Sequence, residues 1–176
     1  MRFLVVSDTH GETSGLALVL DRLGRSVDGL IHCGDGAADI PFLLEAMNLR
    51  LPLHLVRGNT DSSPAFPQLR PVHVAERKLL LAHGHHFLKG DSYALFIAEA
   101  VRQQACAFLY GHTHIPSIDV YSNILLLNPG SLSRPRGSWG PSFAVMDVPE
   151  EKGCWIDVRF FELQTRGRAL FKAFRP

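Results

Sequence analysis

The first third of the chain alternates between two hydropathy patterns, and this alternation limits the possible fold more than any other feature. "RFLVV" (2–6), "DGLIHC" (28–33) and "LPLHLVRG" (51–58) are short apolar runs of strand type. Between them, "GLALVLDRLG" carries apolar residues at helical spacing, with Thr13 or Ser14 as an N-cap and Gly24 as a stop. "IPFLLEAMN" is a second helical segment, with Pro41 in its first turn. Strands alternating with helices predict a parallel sheet with helical crossovers. The rhythm then changes. "PVHVAERKLLLAHG" reads as two strands turning near Glu76 and Arg77, "SYALFIAEAVRQQ" as a helix and "ACAFLYG" as a short strand. Beyond these, "SIDVYSNILLLNPGS", "PSFAVMDV" and "GCWIDVRFFEL" are Val-rich and aromatic runs bounded by Gly, Pro and Asn, which predict an antiparallel or mixed second sheet. The terminal "FKAF" supplies an edge strand or a contact for self-association into a homo-oligomer.

Composition narrows the class. At 176 residues the chain suffices for one domain, taken to span residues 1–176, with a substantial core. With 46% hydrophobic and 20% charged residues it reads as an ordinary soluble globule. A net charge of +1 provides no field for nucleic acid or an anionic membrane. The Arg166, Arg168, Lys172 and Arg175 cluster is too sparse to change that. Cys33, Cys106 and Cys154 are odd in number and lack paired spacing, which suits a reducing cytosol. The N-terminal apolar run is broken by Ser7 and Asp8, too early for a signal peptide, and no stretch approaches a membrane span. The expectation is a cytoplasmic protein.

Function is indicated by the residues directly after each apolar run. "SDTHG" brings Asp8 and His10, "GDG" brings Asp35, and "RGNTD" brings Asn59 and Asp61. "HGHH" brings His83, His85 and His86, and "GHTH" brings His112 and His114. Taken singly, each has an ordinary reading. Asp8 serves as a helix cap, Asp35 and Asn59 as turn residues, and "GHTH" as a polar loop. Jointly they are harder to dismiss, because independent turns have no reason to choose one ligand set at successive strand ends. In open α/β sheets the crevice beyond the carboxyl ends of the strands is where ligands bind. Carboxylates and imidazoles converging there without lysines call for a cation between them.

The ordered set D-x-H, G-D, G-N, a histidine loop and G-H-x-H, spread over residues 7 to 114, resembles the calcineurin-like metallophosphoesterase superfamily. "NPGSLSRPRG" (128–137) resembles its small bacterial and archaeal phosphodiesterase branch. The resemblance implies two packed mixed β-sheets flanked by helices, a four-layer α/β sandwich. It also implies two divalent metal ions, with manganese first and Fe, Co, Ni or Zn as alternatives. Asp8, His10, Asp35 and His114 would hold one, and Asp35, Asn59, His83 and His112 the other, with Asp35 bridging. Asp35, Asn59 and His85 are the catalytic candidates, and Asn59, Arg134 and Arg136 the substrate-binding ones. His85 would be a proton donor or, with more weight, a support for the ligands. Two such ions with a bridging hydroxide hydrolyse phosphoesters, and the one positive charge left after Asp8 and Asp35 are counted suits a phosphodiester anion.

One departure is informative. Phosphomonoesterases of the superfamily carry a histidine after G-N, which assists the leaving group, whereas this chain has Thr60. A threonine hydroxyl is too weak an acid for that task, so small phosphodiesters are the expected substrates. The competing expectations are a non-catalytic protein-binding scaffold of the same fold, like the scaffold subunit of retromer, and a nuclease. The filled ligand positions weigh against the first, and the near-neutral charge against the second. His32, His54 and His73 read as packing or surface residues, Cys33 as a buried thiol, and Trp139 as a pocket wall or loop anchor.

Overall fold

A computed structural model describes residues 1–90, 92–151, 155–164 and 171–176. The alternating first third forms the expected parallel unit. Strand β1 (Arg2–Val6) pairs in parallel with β2 (Gly29–His32), and β2 with β3 (Leu53–Leu55). Helices α1 (Ser14–Leu23) and α2 (Asp39–Ala46) cross over between them. In α1, Leu16, Val19 and Leu20 lie at the i, i+3, i+4 spacing of one face and are fully buried against the sheet. Thr13 occupies the N-cap position, but its hydroxyl makes no capping hydrogen bond, so helix entry rests on packing.

The second sheet begins with a hairpin, β4 (Leu69–Val74) and β5 (Arg77–Ala82), which turns at Ala75 and Glu76. Helix α3 (Ala94–Gln103) leads into β6 (Ala107–Leu109), parallel to β5. The hairpin of β7 (Ser117–Tyr121) and β8 (Ile124–Asn128) completes the sheet in the order β4-β5-β6-β8-β7. Its two turn residues, Ser122 and Asn123, have φ of 51° and 62°, the left-handed pair that a tight hairpin requires.

The C-terminal strands depart from the expected arrangement. β9 (Ser142–Asp147), β10 (Asp157–Leu163) and β11 (Phe171–Phe174) join the first sheet, giving the order β11-β10-β9-β1-β2-β3. β9 runs antiparallel to β1, with Leu4 opposite Val145. Their period-2 patterning specifies a buried strand without specifying its partner. The open flank of β1 is the place where both faces of β9 become covered. β11 is an edge strand, as "FKAF" suggests. Cys154, Arg166 and Arg168 lie outside the described residues.

Alternation along each strand builds a four-layer sandwich. Phe3 and Val5 face the core between the sheets together with Leu79, Leu81 and Leu109, while Leu4 and Val6 face the layer under α1 and α2. Leu80 and Ala82 face Phe96 and Ala100 of α3. Each such side chain, fully buried, contributes about 1.5–3 kcal/mol. Among the described residues no helix is long and apolar enough to cross a membrane.

Candidate metal centre

The polar residues at the ends of β1, β2, β3, β5 and β6 meet at one edge of the sandwich. The loops are joined through their backbones: Asp8 N–H donates to Gly34 O at 3.0 Å, His10 N–H to Asp35 O at 2.9 Å and Gly111 N–H to His83 O at 3.0 Å. The turns are tight enough that five candidate ligands adopt left-handed backbone conformations. Asp8, His10, Asp35, His112 and His114 have φ of 53°, 47°, 56°, 69° and 61°. A non-glycine residue in that region costs about 1–3 kcal/mol, a strain that clusters at functional sites. Two glycines make room for the carboxylates. A Cβ on Gly58 would lie 1.9 Å from Asp35 Oδ1, and one on Gly111 would lie 2.5 Å from Asp8 Oδ2.

The donor atoms converge. Asp8 Oδ1 lies 3.2 Å from His114 Nε2, 3.8 Å from His83 Nε2 and 3.9 Å from His10 Nε2. Asp35 Oδ2 lies 3.4 Å from His83 Nε2 and 3.8 Å from His10 Nδ1. His10 Nε2 and His114 Nε2 are 3.2 Å apart. Two groups of ligand-type atoms result, Asp8–His10–His114 and Asp8–Asp35–His83. Donors bound to one ion at about 2.0–2.1 Å sit roughly 3–3.5 Å from one another, the range of the closest of these separations.

The residues present fit a cation. Asp8 Oδ1 and His83 Nε2 are buried yet lack any hydrogen-bond partner. The Nδ1–H of His83 donates to Cys33 O at 2.8 Å, and that of His114 to Arg134 O at 2.5 Å. Each bond fixes the tautomer that turns the Nε2 lone pair into the cluster, the usual arrangement behind a metal-binding imidazole. The carboxylates stay ionised. Burial raises Asp8, but His114 and His83 outweigh it and hold the group below its ordinary value. Burial likewise raises Asp35, and His83 with the Thr60 N–H pulls it well below the carboxylate range. Burial pushes His10 and His112 down.

A second set of side chains holds this cluster in place. The Asp61 carboxylate accepts from Asp35 N–H (2.9 Å), Gly36 N–H (2.8 Å) and Gly58 N–H (2.8 Å). In return, Asp35 Oδ1 accepts from Thr60 N–H at 2.9 Å, which leaves Oδ2 aimed at the imidazoles. The hydroxyls of Ser131 and Ser133 both donate to Asp8 O, at 2.8 and 2.9 Å. Asn128 Nδ2 donates to Gly111 O at 2.8 Å and to Thr113 Oγ1 at 2.9 Å. His32, fully buried and held down to about 4 by burial, accepts the Gly34 N–H at Nδ1 and so donates from Nε2 to Thr9 Oγ1. Sequence reasoning notices Asp61 without giving it this role. Its signal is its place three residues after Gly58, the spacing of a side chain that closes its own turn.

Over the cluster opens a cleft of about 440 Å³, lined by His10, Asp35, Asn59, Thr60, His112, His114, Arg134, Pro135 and Arg136. Asn59 and His112 both line the cleft, and His112 stands outside the two close acid–imidazole groups. His85 is not among the lining residues. Its ring is 5.5 Å from that of His83 and 6.2 Å from that of His112, and burial together with the neighbouring imidazoles holds it down to about 4. His54 is edge-on to Phe3, His73 is exposed on β4, and Trp139 stacks on Phe174 at 4.7 Å as a loop anchor.

Two facing mixed sheets with an acid–imidazole cluster at their strand ends define a fold that presents a cation site in an open cleft. The chain belongs to the calcineurin-like phosphoesterase superfamily, whose domain model matches residues 1–151. It is 31% identical to the probable metallophosphoesterase YsnB of Bacillus subtilis, over 92% of this chain and 91% of the relative. It is 29% identical to the phosphodiesterase YfcE of Escherichia coli K12, over 84% and 88% of the two chains. A predicted phosphoesterase from Streptococcus pneumoniae superposes with a TM-score of 0.77 at 30% identity, over 98% of this chain and 96% of that one. Vps29 from Entamoeba histolytica shares the fold, with a TM-score of 0.81 at 19% identity over 100% and 98% of the chains.

Proposed function

We propose that the protein is a metal-dependent phosphodiesterase that hydrolyses small phosphodiesters at a dinuclear centre. The single observation that carries the reading is the pair of buried, unpartnered atoms Asp8 Oδ1 and His83 Nε2 within a cluster of anionic carboxylates and tautomer-fixed imidazoles. Asp8, His10, Asp35 and His114 would hold one cation and Asp35, Asn59, His83 and His112 the other. Asp35 Oδ2, which faces both His10 and His83, supports the bridging role. Bound there, two divalent ions supply positive charge to the phosphoryl oxygens and acidify a water.

The chain's own groups then divide the remaining work. Asn59 offers an amide donor to the anionic oxygens of the ester. Water adds its hydroxyl to phosphorus, one P–O bond breaks, and the departing alcohol takes up a proton. At Thr60 the cleft presents a hydroxyl and a backbone N–H already committed to Asp35, neither of them an acid for that alcohol. Substrates whose leaving group needs little protonation are favoured accordingly. The rival reading, a binding scaffold on the same fold, leaves the complete donor set and its supporting hydrogen bonds without a purpose.

The test strips metal with a chelator and restores Mn, Fe, Co, Ni or Zn separately, assaying bis(p-nitrophenyl) phosphate beside p-nitrophenyl phosphate. Diester hydrolysis restored by an added ion and abolished by Asp35→Asn or His112→Ala is the expected result. No hydrolysis of either ester with any ion would overturn the assignment.

A further inference from the structure

The proposed chemistry leaves unused the arginine-bearing part of the cleft lining. Arg134 and Arg136 are both exposed and both line the cleft, and neither guanidinium has an ion-pair or hydrogen-bond partner among the described residues. Their backbone is fixed all the same. Arg134 O accepts from His114 Nδ1–H, Arg134 N–H donates to Ser131 Oγ at 2.8 Å, and Arg136 N–H donates to His114 O at 3.2 Å. Two cations are thus carried on backbone anchored to a candidate metal ligand.

Two features separate this face from a simple clamp on the scissile phosphate. The first is charge. The metal cluster as proposed already balances a monoanionic diester, so two further unpaired guanidiniums leave positive charge with nothing to meet it. The second is the rest of the lining. Pro135 is the only apolar side chain among the lining residues described, and no Phe, Tyr or Trp is among them, so an acyl chain finds no greasy surface. About 440 Å³ is room for a whole small molecule rather than one phosphoryl group. What this wall can recognise is a second anion.

From this we infer that Arg134 and Arg136 form an anion subsite that selects phosphodiesters bearing a second, dianionic group such as a terminal phosphate. The inference rests on the phosphodiesterase reading above and names its substrate class. Two guanidiniums carried on anchored backbone can meet such a group bidentately.

The experiment compares matched probes. Calorimetry with metal-loaded protein measures thymidine 3′,5′-bisphosphate against thymidine 5′-monophosphate, for the wild type and for Arg134→Gln/Arg136→Gln. Kinetics compare thymidine 5′-(p-nitrophenyl phosphate) with its 3′-phosphorylated form, which release the same chromophore. The expected result is a preference of about tenfold or more for the bisphosphorylated probe, expressed in Kd and KM, that collapses in the double variant. Equal affinity for the two ligands in the wild type, or a preference that survives in the double variant, would overturn the subsite. If neither ester is cleaved, the phosphodiesterase reading fails separately, and the calorimetric ratio still decides whether the subsite exists.

Discussion

His83 Nε2 faces Asp8 Oδ1 across 3.8 Å of buried space, and neither atom has a hydrogen-bond partner. A buried polar atom left unsatisfied costs about 1–3 kcal/mol, so a cation bound between these groups stabilises the fold by relieving that cost as well as by mass action. Adding Mn at about 100 times its Kd to chelator-treated protein should raise Tm by roughly 5–10 °C. Asp8→Asn should abolish the shift while leaving the circular dichroism of the fold. A wild-type Tm indifferent to every divalent ion would contradict the account.

Asp61 reaches three backbone N–H groups on two loops, and one of those belongs to Asp35 itself. Asp61→Asn turns one acceptor oxygen into a donor that faces other donors. Metal affinity, titrated calorimetrically, and kcat should each fall about 10–100-fold, the usual effect of losing a group that orients a ligand. Metal affinity equal to that of the wild type would show that Asp35 holds its position unaided.

Gly58 and Gly90 give a contrast in what a single methyl group does. At Gly58 the new Cβ would stand 1.9 Å from Asp35 Oδ1 and 2.5 Å from Asp35 N, so Gly58→Ala should displace the carboxylate and abolish metal binding. At Gly90 nothing lies within 4 Å and only the φ of +60° is strained. Gly90→Ala should lower stability by about 1–2 kcal/mol, seen in denaturant unfolding, and leave metal binding intact.

Thr60 lines the cleft where a leaving group needs a proton. Thr60→His keeps the backbone N–H that holds Asp35 and adds a group able to supply that proton near neutral pH. The ratio of monoester to diester hydrolysis should rise about tenfold or more. An unchanged ratio would remove Thr60 as the source of the preference.

His114 titrates in the opposite sense to its neighbour His10. Once protonated at Nε2, His114 can donate to Asp8 Oδ1, which holds it above its ordinary value of 6.5 against burial, whereas burial pushes His10 below it. A raised imidazole contributes stability that is complete below its unfolded pKa and lost as pH rises through the folded one. In metal-stripped protein the Tm difference between the wild type and His114→Gln should therefore be largest near about pH 5 and shrink toward about pH 8. A difference that grows with pH would reverse the assignment.

Much of this architecture is legible before any folding is considered. Periodicity places β1, α1, β2, α2, β3 and the β4–β5 hairpin, because each period is a local consequence of burying one face or both. The ligands are legible for the same reason, since Asp8, His10, Asp35, His83, His112 and His114 each stand just after an apolar run. Strand patterning does not reveal partners, and so β9 and β10 extend the first sheet against β1 where a second sheet was expected. Nor does spacing reveal depth. His83 is fully buried while His85, two residues on past the turn at Gly84 with its φ of 113°, is only partly so.

By itself the sequence determined which residue types stand at each strand end, and with them the class of chemistry, since those choices are written in local order. Only tertiary structure decided that Asp8 meets His83 and His114, that Asp61 reaches back to Asp35, and that Arg134 and Arg136 line the same cleft. These are contacts between residues distant in the chain or set by loop direction, and they form only when two sheets pack through a shared apolar core. That packing energy is what holds like and unlike charges together in one place, a task no local pattern performs.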